Sequence, residues 1–469
     1  MSKSTLGVII GNRDFFPDRL VTEARQDITK LFNEMDIEPV IIGENETKLG
    51  GVETYAHARI CADLFKKNSE RIEGILVVLP NFGDERGVAD TIKLSGLRVP
   101  ILVQAYPDDL SEFNVERRRD AFCGKISVCN DLRQYGFAYT LTDLHTIHPL
   151  KPAFKADLRK FIGVCKVVRG IPKARLGAIG ARPGAFNTVR FSEKLLQAEG
   201  ISVVTVDLSE ILGSASRLDD NNRNVVEKLQ SIKAYAKHGT VPPPSLVKMA
   251  KLGVVIDAWM AENDLQASAL QCWNSIQKNF GVNACTLMSM MSNDLMPSAC
   301  EVDITGVASM YALQLASGTP SALVDWNNNY ADDPDKCTFF HCGNWAKSFI
   351  PDVEIKTAPI LGTTLGEENT YGAMAGRVPA GPVTFARIST DDVNGMISTY
   401  VGEGQFTDDP LNTFGSSAVV HVQGLQKLLH FICKNGFEHH AAMNGSLSAA
   451  ALAEAFETYF DWDVYYHQG

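Results

Sequence analysis

The 469-residue chain reads as α/β: two doubly wound α/β domains, then a C-terminal antiparallel, β-rich, barrel-like domain. Three observations predict this. Short β-branched runs alternate with amphipathic segments of helix length through the first third, the pattern of a parallel sheet with crossover helices. The alternation restarts near Lys173. Beyond about Ile350 short alternating runs follow one another across turns, as in an antiparallel sheet. These changes of texture put the domains at 1–170, 171–322 and 323–469.

In order, Leu6–Ile10 is expected as a strand, Leu20–Met35 as a helix and Glu38–Ile42 as a strand. A helix over Gly51–Asn68 leads into a buried strand, Gly74–Leu79, and Val99–Gln104 follows as another. In doubly wound sheets the loops beyond the carboxyl ends of the strands carry ligands. That singles out Gly11–Pro17, Pro80–Glu85 and Gln104–Asp109, with Asn12, Arg13, Asn81, Glu85 and Gln104 as candidate contacts to a polar ligand. Turn chemistry explains each of them as well. No G-x-G-x-x-G follows the opening strand, so a dinucleotide site is unsupported. His145 and His148 stand beside Pro149 without an acidic partner pattern and are assigned to a turn or a helix end.

A linking helix over Pro152–Val168 leads to the second α/β unit: strand Lys173–Ile179, helix Thr188–Glu199, strand Ile201–Leu208. Gly213–Pro244 is polar and ends in prolines, which predicts a surface excursion with a stop. Leu252–Ala258 is expected as a strand and Asn263–Phe280 as a helix. Thr305–Gly318 has helical apolar spacing and a Gly stop, and Ala322–Val324 reads as a short buried strand. Val353–Thr364, Ala373–Val378, Gly381–Ile388 and Asn394–Glu403 form the antiparallel unit. Val419–Val422, a helix around Gly424–Asn435, a turn at EHHAAMNG, a helix over Leu447–Phe460 and a strand near Val464–His467 complete the chain.

Net charge is −11 without a basic tract, which argues against nucleic acid or an anionic membrane as partner. No run is apolar enough to span a membrane and the first residues lack a secretory pattern, so the expected location is cytoplasmic. The ten cysteines include no C-x-x-C and several lie in apolar runs, as reduced buried thiols do.

The chemistry concentrates between Cys300 and Asn344. Glu301 and Asp325 stand 24 positions apart, about a helix plus a turn plus a strand, so the chain can bring them back together. His341 follows another apolar run, and His439–His440 lies downstream. Two carboxylates with one or two imidazoles suit a borderline-hard divalent ion such as Mn²⁺. Each carboxylate taken singly fits a helix cap equally well.

The motifs ACEVD, VDWNNNY, FHCGN and EHHAAMNGSLSAAL resemble the L-fucose isomerase / L-arabinose isomerase family of metal-dependent aldose–ketose isomerases. GNRDFFP, NFGDE and IGARPGAFNTVRFSEKLLQAEGI are similar to it too, in the family's order along nearly the whole chain. The resemblance implies two flavodoxin-like α/β domains, a β-rich C-terminal domain and bound Mn²⁺, or another divalent ion such as Co²⁺ or Mg²⁺. It implies Glu301, Asp325 and His440 as metal ligands. Glu301 and Asp325 would also be the acid–base pair that moves a proton between C1 and C2 of an open-chain sugar through a cis-enediol. His341, a ligand position in the arabinose branch, would contact substrate here, with Trp326, Asn327, Asn344 and His439. Family members are trimers or hexamers whose sites are completed by a neighbouring subunit's first domain, where Arg13, Asn81 and Glu85 would read the far end of the sugar, with Asn12 and Gln104 as further candidate contacts. The implied sugar is L-fucose, D-arabinose or a 6-substituted hexose such as sulfoquinovose. Arg13, Arg182 and Lys347 are the cations available for an anionic substituent. The competing readings are a non-catalytic sugar-binding protein and a metal-dependent aldolase or hydratase.

Overall fold

A computed structural model describes residues 3–111 and 113–469. The chain divides into two compact units, Met1–Arg169 with Glu457–Asp461, and Gly170–Phe456 with Trp462–Gly469.

In the first unit β1 (Ser4–Ile10), β2 (Ile37–Ile41), β3 (Gly74–Leu79), β4 (Ile101–Ala105) and β5 (Thr140–Leu141) form a parallel sheet. Its order is β2-β1-β3-β4-β5. Strands β1 and β3 are buried along their whole length, which is why they read as continuous apolar runs. Gly7 permits the packing, because a Cβ there would stand 2.9 Å from the Phe65 ring of helix Tyr55–Lys67. Helix Arg19–Met35 turns Leu20, Ala24, Ile28, Leu31 and Phe32 inward at helical spacing. Each such side chain contributes roughly 1.5–3 kcal/mol on burial.

The second unit holds two sheets. Strands β6 (Arg175–Ile179), β7 (Ser202–Val206), β8 (Ala267–Leu270) and β9 (Ser298–Cys300) are parallel, in the order β7-β6-β8-β9. The other nine are β10 (Ser321–Asn329), β11 (Lys336–His341), β12 (Glu354–Lys356), β13 (Ala373–Arg377) and β14 (Gly381–Asp391), then β15 (Met396–Thr407), β16 (Ser416–His421), β17 (His440–Asn444) and β18 (Asp463–His467). They form a mixed sheet ordered β12-β13-β16-β11-β10-β17-β14-β15-β18. Because β16 also pairs with β15, the pairings β16-β11-β10-β17-β14-β15 close into a ring.

Several expectations change. Leu252–Ala258, expected as a strand, lies within the 20-residue helix Pro243–Glu262. Its Val-Val-Ile run fits a helix that is apolar over most of its surface, and length decides between the two. The prolines expected as a stop open this helix, where the first amides need no partner. Gly213–Pro244 is not an excursion: helices Leu208–Arg217 and Arg223–Tyr235 cross it, the latter burying Val225 and Ile232. Asn263–Phe280 contains β8 and only a short helix, Ser275–Phe280. The helix expected over Thr188–Glu199 forms at Glu193–Ala198 alone. Helix Pro359–Leu365 interrupts the expected run of strands. EHHAAMNG, expected as a turn, is mostly the buried strand β17. Its histidines and small residues hide the apolar signature of an inner strand.

Candidate active site

The second unit gathers four acidic and imidazole side chains from four elements. Glu301 follows β9 directly. Glu301 and Val302 both adopt left-handed backbone, at φ 63° and 56°, a conformation that costs non-glycine residues roughly 1–3 kcal/mol each. Asp303 caps helix Ile304–Ser317, its Oδ1 accepting from the Gly306 amide at 2.8 Å. That helix returns the chain to β10, where Asp325 is the fifth residue. His440 opens β17 and sits directly opposite Asp325 in the antiparallel register, so the two side chains share a face.

The His440 ring reaches three carboxylates. Its Nδ1 lies 2.8 Å from Asp303 Oδ2, and its Nε2 lies 3.1 Å from Glu301 Oε2 and 3.4 Å from Asp325 Oδ1. Trp273 Nε1–H donates to Glu301 Oε1 at 2.9 Å, while Glu301 Oε2 is buried and accepts no aligned hydrogen bond. Two carboxylate oxygens turned toward one imidazole nitrogen call for a cation among them, whether a proton or a metal ion. Burial works against protonation of His440, but Asp303 and Glu301 outweigh it and raise its pKa to about 9. Burial likewise works to raise the Glu301 pKa, and His440 outweighs it, holding the carboxyl below its ordinary value.

His341 ends β11 and is buried beside this group. Its Nδ1 accepts from the Cys342 amide at 3.0 Å, which leaves the proton of the neutral ring on Nε2. That buried nitrogen has no hydrogen-bond partner among the described residues. Asp325, His341 and His440 each offer a ligand atom within 4.8 Å of the others, as do Glu301, His439 and His440. The donor set therefore fits a divalent metal: carboxylate oxygens, an imidazole nitrogen whose other nitrogen is tied to Asp303, and an orphaned buried oxygen. The Cys342 thiol lies 3.5 Å from His341 Nδ1.

Glu301, Asp325, His341, Cys342 and Trp273 line a cavity of about 250 Å³ whose far wall includes Pro359–Leu361 and Phe414. No Lys or Arg lines it. His439 lies 3.6 Å from Asp325, and Phe186 packs edge-on against both His439 and Trp273. Asn344 is buried, its Nδ2 donating to the Ser298 carbonyl. Trp326 packs against Phe339 and Phe385 and donates to the Tyr400 hydroxyl, and Asn327 is exposed on β10. Arg182 donates to the carbonyls of Pro183 and Phe186, and Lys347 stands over the Tyr235 ring.

The first unit gathers its own cluster past the carboxyl ends of β1 and β3. Asn81 donates to Asn12, Asn12 donates to Glu53, and Arg13 pairs with Glu85 while donating to the Phe82 and Gly83 carbonyls. Gln104 is turned to the Ile147 carbonyl at 2.6 Å.

Residues 7–172 match the family described as "Fucose/sulfoquinovose isomerase, N-terminal domain", and residues 339–468 match "L-fucose isomerase, C-terminal domain". The chain belongs to the L-fucose isomerase-like family. It is an aldose–ketose isomerase, an intramolecular oxidoreductase. Sulfoquinovose isomerase of Priestia megaterium is 25% identical over 334 residues, covering 70% of this chain and 71% of that protein. Sulfoquinovose isomerase of Clostridium sp. is 22% identical over 355 residues, covering 74% and 77%. A periplasmic solute binding protein from Actinobacillus succinogenes with bound D-allose aligns over 68% of this chain and 93% of its own, at 10% identity. Its TM-score of 0.17 is too low to bear on this isomerase. L-fucose isomerase-like enzymes are generally metal-dependent, in keeping with the donor groups of the second unit.

Three residues around this isomerase's site escape sequence reasoning. Trp273 and Arg387 sit in unremarkable stretches, and Glu438 carries no motif of its own beside the His pair. Asp303 escapes it too, although its place just before the helical run Thr305–Gly318 is that of an N-cap.

Proposed function

We propose that this enzyme converts an aldose to its ketose by moving a proton between C1 and C2 of the open-chain sugar through a cis-enediol, with a divalent metal, Mn²⁺ or a similar ion, held by Glu301, Asp325 and His440. The observation that carries the reading is the convergence on His440 Nε2 of Glu301 Oε2 at 3.1 Å and Asp325 Oδ1 at 3.4 Å. The ion supplies Lewis-acid polarisation of the sugar carbonyl and stabilises the charge of the enediolate.

Glu301 and Asp325 act as the acid–base pair, one removing the proton and the other returning it. Trp273 holds Glu301 Oε1 and so leaves Oε2 for the reaction side. His341 turns its Nε2–H toward the same space as donor to a sugar oxygen, the partner that this buried nitrogen lacks among the described residues. His439 and Asn344 complete the polar contacts, and the cavity's apolar wall at Pro359–Leu361 and Phe414 limits water around the enediolate.

The relatives act on sulfoquinovose by name, which makes a 6-sulfonated hexose the first substrate to test, with L-fucose and D-arabinose beside it. Among the described residues no Lys or Arg lines the cavity at Glu301 and Asp325, whereas Arg182 and Arg190 line a separate, larger cavity of the same unit. A sulfonate therefore needs guanidinium or ammonium groups from elsewhere, and Arg13 of a neighbouring subunit in a homotrimer or homohexamer is our candidate. Asn12, Asn81, Glu85 and Gln104 would accompany it, and Trp326 and Asn327 serve as further substrate contacts from β10.

The test is proton NMR of purified, Mn²⁺-loaded protein in D₂O with a panel of 6-sulfonated, 6-deoxy and plain aldoses. Conversion with deuterium entering at the carbon that receives the proton supports the proposal and names the sugar. Conversion without deuterium replaces the proton transfer by a hydride shift. Retro-cleavage products would turn the reading to an aldolase.

A further inference from the structure

Behind His440 runs a buried chain of charged groups that the chemistry above does not use. Arg387, on β14, is fully buried; its Nη1 donates to Asp303 Oδ2 at 2.6 Å and its Nη2 to Asp303 Oδ1 at 3.0 Å and Thr305 Oγ1 at 2.8 Å. Its remaining donor, Nε, goes to Glu438 Oε2 at 3.1 Å, and Glu438 Oε1 accepts from the Ser389 hydroxyl at 3.0 Å. Asp303 Oδ1 also takes the Gly306 amide, while Oδ2 also takes His440 Nδ1.

Asp303 is therefore saturated. A carboxylate offers about four lone-pair sites, and the Arg387 fork, the Gly306 amide, the His440 ring and, at 3.3 Å from Oδ1, the Thr305 hydroxyl occupy them all, with none left for a metal. Residue 306 shows how tightly the carboxylate is seated, since a Cβ there would lie 2.5 Å from Asp303 Oδ2. A buried pair of this kind is a poor device for stability alone, because desolvation of both charges offsets most of their attraction. What it does supply is an acceptor held at one fixed point beside His440 Nδ1.

We propose that Asp303 and Arg387 are positioning residues: the Arg387 fork fixes the Asp303 carboxylate in place, and Asp303 accepts from His440 Nδ1–H, so that the ring is held with Nε2 toward Glu301 and Asp325. Glu438 and Ser389 anchor Arg387 from behind. This inference rests on reading His440 as a metal ligand through Nε2. Carboxylates that orient a ligating imidazole typically change metal affinity by 10–100-fold when lost.

The experiment measures Mn²⁺ dissociation constants by EPR on the full-length protein for wild type, D303N, R387K, R387M and H440A, with kcat and KM at saturating Mn²⁺. D303N and R387M are expected to bind Mn²⁺ about 10–100-fold more weakly, with kcat recovering at saturating metal and KM for the sugar within about twofold of wild type. R387K keeps the charge but loses the fork and falls between. Wild-type affinity in D303N and R387M, with only the melting temperature lowered, would overturn the inference.

Where those variants fail to fold, the wild type decides. With ¹⁵N-labelled histidine and diamagnetic Mg²⁺, the His440 signal, assigned by its loss in H440A, must show a protonated Nδ1. A bare Nδ1 would sink the proposal. The H440A arm separates the two readings. Unchanged metal affinity in H440A removes His440 from the ligand set, whereas lost affinity in H440A with none lost in D303N removes only the positioning role.

Discussion

Asp325 and His440 face each other across the pairing of β10 and β17, with Asp325 Oδ1 3.4 Å from His440 Nε2. Two residues 115 positions apart in sequence are thus fixed by backbone hydrogen bonds rather than by a loop, and Glu301 is brought to them by one helix and one strand.

If Glu301 and Asp325 share the proton transfer, Glu301→Gln and Asp325→Asn should each lower kcat by about 10²–10⁴-fold, the usual worth of a positioned acid or base. The amides keep the volume of the acids, so circular dichroism and the melting temperature should stay near wild type. Turnover at more than a tenth of the wild-type rate in either variant, in the presence of excess Mn²⁺, would remove that residue from the pair.

Metal binding should be proton-linked. In the metal-free protein His440 holds its second proton up to about pH 9, and a metal must displace it from Nε2. Mn²⁺ affinity should therefore rise as pH increases toward about 9 and level off above. Calorimetry at neutral pH in buffers of different ionisation enthalpy should find about one proton released per ion bound. Zero release would mean that His440 is not the group displaced.

Asp303 gives a prediction for stability. Burial alone would raise its pKa, but the Arg387 guanidinium and His440 outweigh this and hold it far below the ordinary carboxylate range. A depressed folded-state pKa contributes stability that is full above the unfolded value of about 4 and fades as the pH falls below it. At pH 7, Asp303→Asn should cost about 3–5 kcal/mol, because it leaves a buried Arg387 charge without its anion. Urea unfolding at pH 7 and at pH 3 should show the gap between wild type and variant narrowing in acid. A gap that widened would contradict the assignment.

How much of this was legible varies with the range of the interaction. Strands β1 and β3 and helices Arg19–Met35 and Ile304–Ser317 follow from apolar periodicity, which is local. So does the helix-plus-strand spacing that returns Asp325 to Glu301. Strand β17 did not, because one of its two buried faces carries His440, Ala442 and Asn444 and the other Ala441 and Met443, with no branched aliphatic on either. Helix Pro243–Glu262 misled for the reverse reason, since it carries a β-branched run within a helix whose length is set by its proline start and its packing. Arg387 lies 84 positions from Asp303 and 51 from Glu438. The partnership with Glu438 follows the pairing of β14 with β17, and that with Asp303 the packing of helix Ile304–Ser317 against β14, neither of which any window of sequence displays.

The closed ring of strands has one more consequence. Strands β10 and β17 are inner members of the ring, each bonded on both sides, while β12 and β18 form the ends of the sheet. Losing the ion then has no frayed edge through which to spread. The ligand shell should survive chelation as a rigid, vacant cup, its amides among the slowest in the molecule to exchange with deuterated water. Re-uptake of the ion should be a simple second-order process, free of any slow refolding phase.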